Sequence, residues 1–415
     1  MVDFILILVI VAFLAFYLAW NLGANDVANA MGTSVGSKAM TLSQAIMMAG
    51  VLEFLGAVFF GQKVTSTLAT KIAHPALFAT TPQTLVIGMI SILLSGGIWL
   101  QIATFRALPV SSSHAIVGAI AGFIWVSLGI ESIDWPSISL ITLCWILTPI
   151  ISGAISAGLY SLIRYWIFNQ LHPLSQLQEW IPWLSTLLLS VFGMIVLPTI
   201  TQPLSQFLLT QRKLNIPPHD ITLFITGIAA IALTFMSWRQ LANSSQIDHP
   251  QSLFAKFQVI SAGFVAYAHG SNDVGNAIAP LAVIYYIYQE GEVPNDQLTI
   301  PFWILVLGAL GIVLGLAVSG KKVITTIGEN IISLEPSSGF CAELATAITI
   351  LLASRLGLPV STSHALVGGV VGIGLVQNLR AIKLSTIQNI AAAWLITVPI
   401  SAAMSAMIFT IITNQ

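Results

Sequence analysis

The sequence predicts an all-α membrane protein with many transmembrane helices, because apolar residues dominate a chain that carries few charges. Of its 415 residues, 56% are hydrophobic and 7% are charged, whereas about a quarter of a soluble domain is charged. The apolar runs 4–20, 184–200 and 303–318 contain no charged residue and approach the roughly 20 residues of one helical crossing. We therefore expect about 12 transmembrane helices along the chain.

Net charge and cysteine content narrow the class of protein further. The formal net charge is −1, so no excess of basic residues indicates a nucleic-acid partner. Cys144 and Cys341 lie in apolar segments, where neither is expected to form a disulfide or to bind a metal. The first apolar segment starts at Val2 without a basic region before it, so we interpret it as a retained helix rather than a cleaved signal peptide.

Internal repeats indicate that the chain is a duplicated unit. Three pieces recur in the same order, each about 250 residues further along the chain. The matching pieces are 23–30 with 270–277, 61–67 with 320–326, and 109–118 with 359–368. We therefore divide the chain into a first transmembrane repeat (1–165), a linker with two connecting transmembrane helices (166–256), and a second transmembrane repeat (257–415).

The charges of equivalent loops predict that the two repeats have opposite orientations in the membrane. Short loops that contain Lys and Arg favour the cytoplasmic side. The loop with Lys38 is matched in the second repeat by one with Glu290, and the loop with Glu131 is matched by one with Arg380. Opposite charges at equivalent places indicate inverted-topology repeats, which are commonly built with broken helices or re-entrant hairpins.

A consistent path through the membrane follows from these charges. It places the N-terminus, the 61–83 loop and the Glu131 loop outside, and the segments around Lys38 and Arg164 inside. The second repeat then starts inside and ends outside. The residues that fall on the side disfavoured by the charge rule are Lys63, Lys71, Arg212 and Lys213.

Each repeat carries an aspartate inside an apolar stretch, where ionisable groups are costly and are retained mostly beside a cavity or an ion. Gly23 and Gly270 lie shortly before these aspartates and are expected to break the helix and free backbone groups. Carboxylate and amide oxygens suit a hard cation such as Na⁺. The predicted Na⁺ ligands are Asp26, Asn29, Asp273 and Asn276. The alternative is that they only hydrogen-bond between helices, but the occurrence of the motif twice favours an ion site.

Two serine-rich turns supply the chemistry for an anion. Pro109 and Pro359 each begin a Pro-Val-Ser-x-Ser-His run, and proline is typical of the first turn of a helix. Hydroxyls and free amides at a helix N-terminus can bind an oxyanion without a fixed Lys or Arg. The predicted substrate-binding residues are Asn25, Asp26, Ser111, Ser112, Ser113, Asn272, Asp273, Ser361, Thr362 and Ser363. N-capping by these residues is the simpler interpretation and is compatible with anion binding.

Two glutamates in apolar segments are candidates for ion coupling. Glu53 and Glu343 do not occupy equivalent places in the repeats. Each is expected to bind a cation or a proton, or to pair with a polar neighbour. His114 and His364 follow the serine turns, and we assign them no role in proton transfer, because a single histidine is more often structural.

On these residues the chain resembles the inorganic phosphate transporter (Pit) family of sodium- or proton-coupled permeases. The paired Asn-Asp-Val-x-Asn-Ala motifs and the Pro-Val-Ser-x-Ser-His runs carry this likeness, which covers 1–165 and 257–415. The resemblance implies inverted repeats and symport of phosphate with Na⁺ or H⁺. It also implies that the Asn-Asp pairs and serine turns line the ion and substrate site, and that Glu53 and Glu343 are needed for transport. The second motif reads Gly-Ser-Asn-Asp rather than the commoner Gly-Ala-Asn-Asp. Some members of the family carry sulfate, so both anions stay open.

The resulting expectation is a symporter, not an enzyme, that moves phosphate with Na⁺ or H⁺ by alternating access. A sulfate permease, an anion channel, an intramembrane hydrolase and an anion receptor are the alternatives, and the doubled plan argues against the last two. The coupling ion is the only cofactor expected. The expected partners are the anion and membrane lipid, with a homodimer left open. A chain without a long targeting extension indicates the inner membrane of a bacterium.

Overall fold

The computed structural model describes residues 2–106, 108–212, 217–243, 250–295, 298–320 and 332–414. Within these ranges the chain forms fourteen α-helices and no β-strand. Lys213 and the 321–326 part of the repeated middle piece, both used in the sequence argument, lie outside the described residues.

The helices follow the order of the two predicted repeats and the linker. Residues 1–165 contain α1 (Val2–Gly36), α2 (Leu42–Phe60), α3 (Gln62–Thr67), α4 (Pro82–Phe105), α5 (Ser112–Leu128) and α6 (Trp135–Ile163). Residues 166–256 contain α7 (Pro173–Ile195), α8 (Leu197–Arg212), α9 (Pro218–Asn243) and the start of the next helix. The remaining helices are α10 (Gln251–Glu290), α11 (Phe302–Ser319), α12 (Pro336–Arg355), α13 (Thr362–Gln377) and α14 (Leu384–Thr413).

Most of these helices are long and apolar enough to cross a membrane. Eight meet that description by themselves: α1, α2, α4, α6, α9, α11, α12 and α14. α7 and α8 meet at a bend of 62° and make one further candidate as a broken span. α10, which is polar in its middle, and the shorter apolar helices α5 and α13 complete the set. The described helices therefore confirm the all-α membrane fold, with eight or nine spans of sufficient length and apolar character, while the count of about 12 crossings stays a prediction.

The two repeats form one body, because helices of each repeat pack against helices of the other. α1 packs on α11 and α2 packs on α10, while α5 packs on α14 and α6 packs on α13. The pair α1–α11 of one repeat order corresponds to the pair α10–α2 of the other, and the pair α5–α14 corresponds to α13–α6. The two repeats are therefore related by an approximate two-fold symmetry. The middle of the protein is consequently lined by both repeats.

Contacts along these pairs show that the repeats are inverted. On α2 and α10, Leu52 lies beside Gly263, and Gly56 lies beside Ser271, so the two helices run in the same direction. Because α1 and α2 are consecutive spans joined by a short turn, they run in opposite directions. The two helices that carry the equivalent Asn-Asp motifs, α1 and α10, therefore run in opposite directions, as inverted repeats require.

The motif helices continue through their glycines, so the predicted break at Gly23 and Gly270 is wrong. α1 and α10 are uninterrupted at these positions. A Cβ at Gly23 would lie 2.0 Å from the carbonyl oxygen of Ile312, and one at Gly270 would lie 2.1 Å from that of Glu53. The glycines are required for the close approach of a neighbouring backbone. Ligand atoms at these positions therefore come from side chains.

The serine turns form the tips of two helical hairpins, α4–α5 and α12–α13. Ser111 and Ser361 cap the second helix of each hairpin, because their hydroxyls accept from the backbone N–H of His114 and His364. α5 and α13 have 17 and 16 residues, fewer than the roughly 20 of a full crossing. The turns are buried, so the hairpins have a re-entrant form and place two helix N-termini inside the protein.

Loops that the path assigns to one side of the membrane are in contact. His74 lies 2.7 Å from Asp134, and both belong to loops predicted outside. Lys63, also in a loop predicted outside, donates to the carbonyl oxygen of Arg355 at 3.2 Å. The first contact joins two loops of the first repeat, and the second joins the 61–83 loop to the turn of the α12–α13 hairpin, where the basic residues Lys63 and Arg355 meet.

We predict that Gly122→Ala and Gly372→Ala each lower the thermal stability of the protein. An added Cβ would lie 2.1 Å from the carbonyl oxygen of Ala402 in the first variant and 2.2 Å from that of Gly153 in the second. Gly158→Ala is the matched control, since a Cβ there meets no atom within 4 Å and alanine is the better helix former. In fluorescence-detected size-exclusion melting, the first two variants should fall several degrees below wild type. Equal melting of all three would contradict tight packing between the repeats.

Candidate ion and anion site

An acidic centre lies where α1, α2 and α10 meet. His269 stands between two carboxylates: its Nδ1 lies 3.1 Å from Glu53 Oε1, and its Nε2 lies 3.0 Å from Asp273 Oδ2. Ligand atoms of Asp26, His269 and Asp273 all lie within 4.8 Å of one another. The structure thus brings the aspartates of both repeats into one site.

Several oxygen atoms of this centre are buried without a hydrogen-bond partner among the described residues. They are Asp26 Oδ2, Asp273 Oδ1 and the amide oxygen of Asn276. Burying an unpaired polar atom is unfavourable, so these oxygens are suited to a ligand that the protein takes up. Oxygen atoms from carboxylates and amides are the ligands that hard cations prefer. Asn29, the remaining predicted ligand, donates to Asp26 Oδ1 at 3.0 Å and so orients that carboxylate.

The balance of charge in the centre favours the binding of cations. Both ring nitrogens of a histidine donate only in the protonated form, so an imidazolium at His269 fits its two carboxylate neighbours. With all three carboxyl groups ionised, Asp26, Asp273 and Glu53 bring three negative charges against one positive charge. In that state the excess of two negative charges in a buried site is costly unless cations or protons neutralise it.

The serine turns reach this centre from both sides. Thr362 donates to Asp273 Oδ2 at 3.0 Å. Asn276 of the second repeat donates to the hydroxyls of Ser112 and Ser113 in the first repeat, at 3.5 and 3.3 Å. Ser113 in turn donates to the carbonyl oxygen of Val360 at 3.0 Å. Hydroxyls at the N-termini of α5 and α13 therefore lie next to the acidic centre, where the helix dipoles favour an anion.

The first asparagine of each motif makes the same pair of hydrogen bonds in its own repeat. Asn25 donates to Thr104 Oγ1 at 3.2 Å and to the carbonyl oxygen of Leu108 at 3.4 Å. Asn272 donates to Ser354 Oγ at 3.0 Å and to the carbonyl oxygen of Leu358 at 3.1 Å. Each asparagine thereby ties its motif helix to the hairpin that carries the serine turn.

Glu343 lies in a separate polar cluster, away from the contacts of the acidic centre. Its carboxylate accepts four hydrogen bonds that link α12 to α1 and α10. The donors are Thr33 at 2.6 Å, Ser34 at 2.5 Å, Ser261 at 2.8 Å and Gln258 at 3.1 Å. Four donors on one side chain fix the position of both carboxylate oxygens between the three helices.

The two histidines after the serine turns form a symmetric pair. Their ring centroids lie 4.8 Å apart. His114 Nδ1 lies 3.2 Å from the carbonyl oxygen of Trp394, and His364 Nδ1 lies 2.9 Å from that of Trp145. Each histidine thus anchors the start of its helix to a tryptophan of the opposite repeat. These contacts fix the position of both imidazoles between the two repeats.

Apart from Asn29 and Glu343, described above, the predicted residues fall into three places in the structure. Asp26, Asp273, Asn276, Ser112, Ser113, Thr362 and Glu53 belong to the acidic centre and its border. Asn25 and Asn272 lie beside it, and Ser111 and Ser361 cap the hairpin helices, with Ser363 Oγ 3.0 Å from Ser361 Oγ. Sequence reasoning missed His269, although its place one turn before Asp273 on a helix was a usable signal.

Comparison with known proteins identifies the group of proteins to which this arrangement belongs. The model of the phosphate transporter family matches residues 22–405, a range that includes both Asn-Asp motifs and both serine turns. The chain belongs to this family. Membership agrees with the resemblance seen in the motifs, and the family consists of transporters rather than enzymes.

Individual relatives and a solved structure match the chain over nearly its whole length. It is 39% identical to a candidate phosphate permease of Chlamydia trachomatis, with 98% of both chains covered. It is 37% identical to inorganic phosphate transporter 2-1, chloroplastic, of Arabidopsis thaliana, with 92% of this chain and 68% of that protein covered. A solved structure titled the sodium-dependent phosphate transporter matches with a TM-score of 0.89 and 35% identity, over 98% of this chain and 99% of that one.

We predict that Glu343→Gln destabilises this phosphate transporter family member. The new amide nitrogen would face donors, so at least one of the four hydrogen bonds to the carboxylate would be lost, at a cost of about 1–3 kcal/mol. Glu131→Gln, in an exposed loop, is the control. Melting in detergent should be several degrees lower for Glu343→Gln than for the control. Identical melting would mean that the cluster around Glu343 does not hold α12 to α1 and α10.

Proposed function

We propose that the protein is a secondary active symporter that moves inorganic phosphate together with Na⁺. The observation that carries this proposal is the meeting of two aspartates from inverted repeats with hydroxyls from two helix N-termini in one buried place. Acidic groups suit the cation, and hydroxyls with free amides suit the oxyanion. The structural match to a protein titled the sodium-dependent phosphate transporter supports the choice of both ions.

The charges of the acidic centre provide a reason for coupling. Without cations, an anion that enters the site meets carboxylates with a net excess of negative charge. Na⁺ bound by Asp26 and Asp273 removes that repulsion, so the anion binds well only when the cation is present. Two Na⁺ with one divalent phosphate would move no net charge, and the ion gradient rather than the membrane voltage would then drive uptake.

The two glutamates take different parts in this proposal. Glu53 shares His269 with Asp273, so any change in its charge is felt directly at the acidic centre. Glu343, with its own set of donors, offers a separate site where Na⁺ or H⁺ binding could be linked to movement of α12. We assign both residues to coupling rather than to direct contact with phosphate.

The inverted plan supports alternating access as the mechanism. Because the repeats are inverted, each repeat has toward one side of the membrane the structure that the other has toward the opposite side. A shift of one repeat relative to the other would therefore close the shared site on one side and open it on the other. A channel would not need this arrangement or a cation for each anion. We place the protein in the cytoplasmic membrane, and we keep sulfate as the alternative anion, to be tested beside phosphate.

The test is uptake of radiolabelled phosphate into proteoliposomes, with a Na⁺ gradient, an H⁺ gradient or neither. Wild type should take up phosphate only with the Na⁺ gradient, and excess sulfate should compete poorly. Asp26→Asn and Asp273→Asn should each reduce uptake about tenfold or more, as expected when one charged contact to an ion is lost. Asp220→Asn, at an exposed position of α9, is the control and should transport normally.

Each contrary result of this assay has a definite meaning. Uptake that is independent of any cation gradient would identify a channel. Uptake driven by H⁺ alone, or sulfate uptake in preference to phosphate, would replace the proposed ion or anion. Normal Na⁺-dependent uptake by both aspartate variants would refute the assigned cation site.

A further inference from the structure

A cavity of about 430 Å³ opens next to the acidic centre, at the end of the molecule where Lys63 and Arg355 meet. The α8 and α9 region of the linker closes one side of it through Thr199, Gln202 and Pro218. The cavity is large enough for a hydrated oxyanion, and the path predicted from the loop charges puts the 61–83 loop beside it outside the cell.

One lining residue of the cavity is hydrogen-bonded to the neighbour of an acidic-centre residue. Ser354 lines the cavity, and its hydroxyl accepts from Asn272 at 3.0 Å. Asn272 is followed directly by Asp273 of the acidic centre. The cavity is therefore connected to the proposed transport site through Ser354 and Asn272.

The basic side chains of Lys63 and Arg355 have N–H donors that make no hydrogen bond within the described residues. Lys63 uses one contact to the carbonyl oxygen of Arg355, and Arg355 uses one to the carbonyl oxygen of Met194, at 2.9 Å. Among the described residues, no carboxylate lies within ion-pair distance of either cation. An ammonium has three N–H donors and a guanidinium has five, so most of them remain available to an anion in the cavity.

A second cavity, of about 330 Å³, is the counterpart of the first in the other repeat. It is lined by Thr104 and Phe105, which stand where the first cavity has Ser354 and Arg355. Thr104 accepts from Asn25 there, as Ser354 accepts from Asn272. None of its described lining residues is charged. The protein therefore has a cavity beyond each face of the shared site, and the pair differs in having Arg355 at one end and Phe105 at the other.

We propose that the cavity at Lys63 and Arg355 is a capture site, where phosphate binds before it reaches the sodium-dependent site. This inference rests on the proposed function and adds a second, outer phosphate site. Clefts with one sign of charge raise the local concentration of an oppositely charged ligand by about tenfold or more. Binding there needs no Na⁺, because the positive charges belong to the protein.

The first test measures phosphate uptake by the Lys63→Gln/Arg355→Gln double variant in proteoliposomes. The KM for phosphate should rise about tenfold, while the maximal rate and the Na⁺ dependence stay close to wild type. Added choline chloride should raise the KM of wild type by screening the charges and should leave that of the double variant unchanged. Lys71→Gln, an exposed lysine outside the cavity, is the control with an unchanged KM.

A charge-conserving pair separates loss of charge from loss of structure. Lys63→Arg/Arg355→Lys keeps both positive charges and should keep the low KM. An unchanged KM in the double Gln variant, or a fall in maximal rate with an unchanged KM, would overturn the capture site. If wild type itself shows no Na⁺-dependent phosphate uptake, the proposed function fails; if only the KM effect is missing, this inference alone fails.

The second test observes the outer site directly. Thr199→Cys, in a background in which Cys144 and Cys341 are replaced by alanine, is labelled with a membrane-impermeant thiol reagent. Phosphate in Na⁺-free medium should slow labelling, and this protection should disappear when Lys63→Gln and Arg355→Gln are added. Absence of protection, or protection that requires Na⁺, would contradict an outer site that binds phosphate through the protein's own charges.

Discussion

The burial of several carboxylates at the meeting point of two inverted repeats is the constraint on which the rest of the structure depends. Glu53 and Asp273 both contact the imidazole of His269, and ligand atoms of Asp26, His269 and Asp273 lie within 4.8 Å of one another, so three carboxyl groups stand against one basic side chain. An excess of negative charge is costly in a low-dielectric interior. In the proposed function, this excess favours the binding of cations, and bound cations let an anion enter among groups that otherwise repel it.

Helices of the two repeats pack against each other, so both repeats contribute residues to the acidic centre. α1 packs on α11, and α2 packs on α10, which brings the two motif helices α1 and α10 together at the centre. Gly23 and Gly270 allow the backbone of a neighbouring helix to approach these two helices closely. The hairpins then deliver hydroxyls from both repeats. Symmetry is incomplete, however: Glu53, His269 and Glu343 have no acidic or basic equivalent in the opposite repeat. Glu53 belongs to the first repeat, whereas His269 and Glu343 belong to the second, so each repeat contributes an ionisable group that the other lacks.

The sequence alone predicts a large part of this arrangement, because the duplication is recognisable as sequence motifs that occur twice in the same order. The repeats, their inversion, the Asn-Asp motifs and the serine turns are all readable from local pattern and loop charge. The packing of helices of one repeat against helices of the other cannot be predicted from the sequence. It depends on contacts between small residues that are more than two hundred positions apart in the chain. For the same reason the sequence does not show why Gly23 is a glycine: the backbone of Ile312, which packs against it, belongs to the opposite repeat. His269 gains its meaning from Glu53, which lies far away in sequence.

Equilibrium binding of radiolabelled phosphate to the purified protein tests most directly whether both repeats build one site. The number to measure is the Na⁺-dependent phosphate bound per chain, in wild type and in Ser112→Ala and Thr362→Ala. The account predicts one such phosphate per chain, with each substitution weakening the affinity of that single site. Two Na⁺-dependent phosphates per chain, or loss of half of the sites at unchanged affinity in each variant, would contradict it.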